Sequence, residues 1–185
     1  FLRMKLQECQ VSTNLVGSYN ADNVMAALAV GTYFGVGLMD AVAAIEAYVP
    51  SNNRSQMTRT ASNTLIVDAY NANPTSMAAA LENFSNVQSS PKIAMLGDML
   101  ELGQDSVGEH TGIIAQASEA DIDSVYLVGA EFARAASAME LSDKFRCFAT
   151  SDELAGWLKE HPVAGATVLV KGSRGVRMEK VLNVL

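Results

Sequence analysis

Thr64-Leu65-Ile66-Val67-Asp68-Ala69-Tyr70-Asn71-Ala72-Asn73-Pro74 is the stretch on which the fold turns. Its apolar, β-branched start reads as a buried strand. The run stops at an acid, and Asn residues with a Pro follow. Those polar residues have no spare apolar surface to pack. In an open α/β sheet, ligands bind just beyond the carboxyl ends of strands. The segment therefore reads as a strand delivering a binding loop, with Asp68 a charge at the ligand rim rather than a packing residue. An ordinary turn is the other reading of this loop alone, because Asn and Pro are common turn formers.

Working outward, the pattern repeats. Strands are expected at Thr64–Asp68, Lys92–Leu96, Ser124–Val128, Phe145–Phe148 and Thr167–Val170, with helices near 75–87, 107–120, 131–140, 151–160 and 174–184. Such alternation predicts an α/β fold with a parallel sheet covered on both faces. In a parallel sheet the loops after successive strands leave on one edge. Asp68–Pro74, Gly97-Asp98-Met99-Leu100-Glu101-Leu102-Gly103 and Lys171-Gly172-Ser173-Arg174-Gly175 should then converge on one rim.

Upstream, weak alternation of Met4, Leu6, Val11 and Leu15 allows two short strands. Asn20 or Asp22 can cap a helix starting near Asn23, which Gly35-Val36-Gly37 ends. Asp40 can cap a second helix through Val42, Ile45 and Tyr48, which Pro50 stops. Residues 51–60 are polar and aperiodic. They read as a linker, placing a domain boundary near Pro50.

The chain has 185 residues, 49% of them hydrophobic and 18% charged, which is a globular composition. A net charge of −7 argues against a nucleic-acid binder, which would carry a basic stripe. No apolar run approaches the roughly 18–20 residues of a membrane helix. Cys9 and Cys147 lie far apart and form no metal set with His110 and His161; two reduced cytosolic thiols are expected. The chain opens Phe1-Leu2-Arg3 without an initiator Met, and reads as a cut inside a longer protein.

Lys171-Gly172-Ser173-Arg174-Gly175, between a strand and a helix, offers N–H groups, a hydroxyl and two cations to a phosphate or carboxylate. A solvated basic turn explains it equally well. No Gly-x4-Gly-Lys-Ser/Thr phosphate loop occurs. Asp98 and Glu101 fit either an acid/base or metal role or a helix N-terminus; the cap is the preferred reading for Glu101 and Asp98 stays open. His110 has no nucleophile paired with it and reads as structural.

Taken together, Gly17-x-Tyr19-Asn20-x-x-Asn23-x-x-Ala26-Ala27, Asn53-Arg54, Asp68–Pro74, Leu96–Gly103, His110 and Val170–Arg174 resemble the Mur ligase family. The resemblance implies that residues 1–49 are the end of the central ATP-binding domain, a helical remnant, and that residues 50–185 are the Rossmann-like carboxyl-terminal domain. It implies an ATP- and Mg2+-dependent, cytoplasmic bacterial ligase of peptidoglycan synthesis. The Tyr-Asn-Ala-Asn-Pro loop points to members that join D-alanyl-D-alanine to a UDP-muramoyl-tripeptide. Their partners would be these small molecules and the rest of the same protein, with no nucleic acid and no membrane span.

By the same resemblance, Asn20, Asn23, Arg54 and Asp68 would face ATP. Tyr70, Asn71, Asn73, Pro74, Lys171, Ser173 and Arg174 would face the dipeptide. The family's phosphate loop and metal ligands have no counterpart, so no catalytic or metal residue is expected here, and the 185 residues alone should be inactive without bound cofactor. Asn53-Arg54 departs from the Gly-Arg of many relatives. The alternatives are another Mur-type ligase or a folyl-polyglutamate synthase, and a non-catalytic Rossmann-like module. The Asp-Asn-Pro-Arg signature of the diamino-acid ligases is lacking.

Overall fold

A computed structural model describes residues 1–6, 9–50 and 54–185. Asn53, the departure from the family pattern, lies outside the described residues.

Two strands, β1 (Arg3–Leu6) and β2 (Cys9–Ser12), pair antiparallel, and two helices follow, α1 (Ala21–Tyr33) and α2 (Leu38–Ala47). The two short strands that the sequence allows here are thus present beside the helices. Its own apolar cluster gathers Val11, Val24, Leu28, Ala41 and Val42. The helix starts differ from expectation. Asn20 occupies the N-cap of α1 but makes no side-chain cap bond, and Gly37, not Asp40, precedes α2. Asp40 lies in the first turn, where its charge still suits the helix dipole.

The polar stretch expected to be linker holds a strand, β3 (Gln56–Arg59). It pairs antiparallel with β4 (Thr64–Asp68) at the sheet edge. An edge strand with one face in solvent needs little apolar content, so its sequence gave no strand signal. The remaining elements are α3 (Pro74–Ser85), β5 (Lys92–Gly97), α4 (Ser106–Glu119), β6 (Ser124–Val128), α5 (Ala130–Ala136), β7 (Phe145–Phe148), α6 (Ser151–Glu160) and β8 (Thr167–Lys171). The six-stranded sheet has the order β3-β4-β8-β5-β6-β7, parallel except for β3.

Successive residues of a strand face opposite sides, and the two cores show it. Ile66, Ala94, Leu96, Leu127 and Leu169 pack with α3, α4 and α5. Leu65, Val67, Met95, Val128 and Val170 pack on the other side with α6 and the chain end. The helix expected at that end is 3-10 helix, Arg174–Val176 and Met178–Val184, broken by Arg177 at φ 57. Met178, Val181 and Val184, spaced by three, line up on one face at three residues per turn.

On α1 and α2 a run of apolar side chains stays in solvent, with Tyr33 84%, Phe34 77% and Met39 66% exposed. An apolar patch of this kind marks a contact surface.

Candidate functional site

The three loops meet as expected. β4 and β8 are adjacent and in register, so Asp68 and Lys171 end side by side. The Lys171 ammonium donates to Asp68 Oδ2 at 2.6 Å and is 1% exposed. Ser173 stitches the loops together. Its hydroxyl accepts from Leu100 N at 3.0 Å and donates to Ala72 O at 3.3 Å, and its N–H donates to Asp98 O. The backbones can close this far because of Gly172, where a Cβ would lie 3.0 Å from Gly97 Cα.

Two cavities adjoin beside this rim. One, of about 410 Å³, is mostly apolar, walled by Leu15, Val24, Ala27, Ile45 and Tyr48. The other, of about 350 Å³, is polar, lined by Asp68, Tyr70, Asn71, Asn73, Ser76 and Lys171. Asn20, Asn23, Arg54 and Ser55 line both. An apolar cavity adjoining a polar one can take a ligand that is apolar at one end and polar at the other.

Within that frame the site residues divide into exposed groups and supports. Asn23, Arg54, Tyr70, Asn71 and Asn73 are exposed. Asn20 is buried, and its amide is fully engaged. The nitrogen donates to Val16 O and Ser55 Oγ, and the oxygen accepts from Asn23 Nδ2. Asn20 therefore lines both cavities from a buried position and orients Asn23. Asp68 accepts from Ser55 N as well as from Lys171. Asn73 caps α3: its Oδ1 accepts from Ser76 N at 2.8 Å while Ser76 Oγ accepts from Asn73 N, and Pro74 takes the first helical position. The Asn73 amide nitrogen has no hydrogen-bond partner among the described residues. Asn73→Ala should cost about 1 kcal/mol of stability through the lost cap, read by chemical denaturation. Pro74, Ser173 and Arg174 line neither cavity.

Two residues given no role from sequence belong here. Tyr19 lines the polar chamber, and its hydroxyl shares a hydrogen bond with Ser55 Oγ at 3.2 Å. Burial, and then the charge of Asp68, push that hydroxyl from 10.0 up to about 12, against a smaller pull from Ser55. An unfolded chain releases this proton near pH 10, whereas the folded chain keeps it to about 12. The stabilisation is complete below pH 10 and disappears as pH rises through 12, and Tyr19→Phe should flatten that alkaline loss in pH-dependent melting. The aromatic ring inside Gly17-x-Tyr19-Asn20 was a signal for it. Ser55 had none: its importance lies in a φ of 47 that aims its N–H at Asp68, and the surrounding sequence is merely polar.

Asp98 and His110 are resolved by their partners. Asp98 Oδ2 accepts from Glu131 N at 3.0 Å and Oδ1 from Phe132 N at 2.9 Å, capping α5. Glu101 caps nothing; it sits exposed at φ 68, and Asp105 precedes α4. His110 is buried, with Nε2 accepting from Met99 N and Nδ1 donating to Ser106 O. Both ring nitrogens hold the loop, the structural role expected. Among the described residues no group of three His, Cys, Asp or Glu side chains could hold a metal ion.

Residues 53–174 match the family model of the Mur ligase glutamate ligase domain. The chain is 35% identical over 187 residues to the UDP-N-acetylmuramoyl-tripeptide–D-alanyl-D-alanine ligase of Treponema pallidum, covering 99% of this chain and 40% of that protein. A crystal structure of MurF from Acinetobacter baumannii superposes with a TM-score of 0.80 at 30% identity, over 95% of this chain and 39% of that one. MurF ligase from Thermotoga maritima, solved in complex with ADP, shares the fold with a TM-score of 0.76 at 24% identity, over 95% of this chain and 40% of that one. The chain spans about two fifths of the length of these relatives. With its mostly parallel sheet and a family match over most of its length, the chain belongs to the Mur ligase family.

Proposed function

We propose that the chain is the carboxyl-terminal part of an ATP-dependent ligase that joins D-alanyl-D-alanine to a UDP-N-acetylmuramoyl-tripeptide in the bacterial cytoplasm. In that reaction ATP phosphorylates the tripeptide carboxylate and leaves as ADP. The dipeptide amine then attacks the acyl phosphate and inorganic phosphate departs. The observation that carries the reading is the paired cavity. Asn23 and Arg54 stand where an apolar cavity meets a polar chamber, and the Tyr70-Asn71-Ala72-Asn73 loop lines that chamber. The relatives named above carry this activity or bind ADP in their own names.

On this reading Asn23, oriented by Asn20, meets the adenine, since an amide both donates and accepts. Arg54 reaches the phosphates with a planar fork of donors. Asn71 and Asn73 offer their amide groups to the dipeptide. Asp68, Lys171 and Ser173 act from below, holding the loops that carry the exposed groups. Residues 1–49 are the end of the central ATP-binding domain, and their exposed Tyr33, Phe34 and Met39 pack against the rest of it. Residues 50–185 are the carboxyl-terminal domain. Without a phosphate loop in the sequence, the 185 residues alone turn over no ATP.

The deciding experiment uses the full-length protein that contains this chain. ADP formation should require both the UDP-muramoyl-tripeptide and D-alanyl-D-alanine, and a diamino acid or glutamate should not replace the dipeptide. Turnover with a single amino acid would assign the chain to another member of the family.

A further inference from the structure

Tyr70 lines the polar chamber, 39% exposed, and two guanidinium groups gather on its ring. Arg54 Cζ lies 3.6 Å from the ring centroid and Arg174 Cζ 5.6 Å from it. The two arginines come from separate parts of the fold, one just before β3 and the other just after β8. Among the described residues neither has a carboxylate within ion-pair distance, unlike Arg134, which pairs with Glu131. Of the charged residues lining the chamber, Asp68 and Lys171 neutralise each other, which leaves Arg54 without a counter-charge. Two like charges drawn to one ring, with no acid between them, are held there by the ring's negative face.

We propose that Tyr70 is a positioning residue that couples the two ligand arms of the site: one aromatic ring presets Arg54, in the chamber lining, for the phosphates of the nucleotide and Arg174, beyond that lining, for the carboxylate end of the dipeptide. This rests on the ligase reading above. It gives Tyr70 a role toward both ligands, whereas a residue acting only through the loop that meets the dipeptide would affect that ligand alone. The ring acts by restricting two long side chains that would otherwise sample many rotamers, so each anion meets a guanidinium already placed. The hydroxyl plays no part. Tyr70 makes no hydrogen bond through it among the described residues, and both contacts are to the ring.

Two measurements test this. In the ligand-free 185-residue chain, the side-chain Nε–Hε resonance of Arg54 should be shifted by the ring current in the wild type and in Tyr70→Phe, and should move to its solvent-exposed position in Tyr70→Leu. In the full-length ligase, Tyr70→Leu should raise the Michaelis constants for ATP and for D-alanyl-D-alanine, each by about 2- to 5-fold, and Tyr70→Phe should raise neither. A Tyr70→Leu protein in which only one constant changes, or none, overturns the coupling while leaving the ligase reading intact. Equal defects in Tyr70→Phe and Tyr70→Leu overturn it too, because the hydroxyl would then be the active group. A wild-type protein with no D-alanyl-D-alanine-dependent turnover overturns the ligase reading, and the coupling with it, whatever the resonances show.

Discussion

Lys171→Met should destabilise the chain by about 3–5 kcal/mol, the loss seen when one partner of a buried ion pair is removed. The Lys171 side chain is 1% exposed and that of Asp68 13%, with the ammonium 2.6 Å from the carboxylate. Methionine fills nearly the same volume, so cavity formation contributes little. What remains is a carboxylate at the chamber floor with a single backbone donor, Ser55 N at 3.3 Å. Lys171→Met/Asp68→Leu should recover most of the loss, because an apolar pair replaces a buried ion pair at little or no cost. Urea denaturation of the two variants checks both statements. A single substitution costing under about 1 kcal/mol would mean that water in the chamber solvates the pair as it does at a surface. The double variant also separates stability from binding, since it keeps the fold and removes the charged floor.

That pair marks where sequence reasoning stops. The order of strands and helices was legible because the apolar runs of β4, β5, β6 and β8 are short and punctuated by loops. The convergence of three loops followed from parallel pairing alone. The direction of individual side chains did not follow. Asp68 looked like a free rim charge, because sequence does not show that β4 and β8 are neighbours in register; only then does Lys171 become its partner. Ser173 and Asn73 looked like ligand groups, and their oxygens are engaged in holding loops and capping α3. The resemblance named Asn20, Asn23 and Arg54 together, and they do line one cleft, but it did not separate the exposed Asn23 from the buried Asn20 that hydrogen-bonds it. β3 was missed because an exposed edge strand leaves no hydrophobic period to read.

Asp98→Ala should cost about 2–3 kcal/mol while leaving the turnover of folded full-length protein unchanged. The residue is 4% exposed, and each carboxylate oxygen takes one backbone N–H at the start of α5. Alanine would leave Glu131 N and Phe132 N without acceptors. A buried donor that loses its partner costs about 1–3 kcal/mol, and a lost cap about 1 kcal/mol. The site is built tightly around that carboxylate. Gly129 has φ 121, and a Cβ there would lie 2.2 Å from Asp98 Oδ2, so the chain turns into α5 directly against the acid. His110 lies close, with Nε2 3.7 Å from Asp98 Oδ1, but that nitrogen accepts from Met99 N and so carries no proton to share. The two side chains are neighbours in a scaffold, not a proton-transfer pair. A general acid or base would behave in the opposite way: its removal would lower turnover by about 10²–10⁴-fold, with the pH profile altered. Denaturation of the variant, together with turnover corrected for the folded fraction, separates the two roles. A stable variant with turnover lost would return Asp98 to the chemistry.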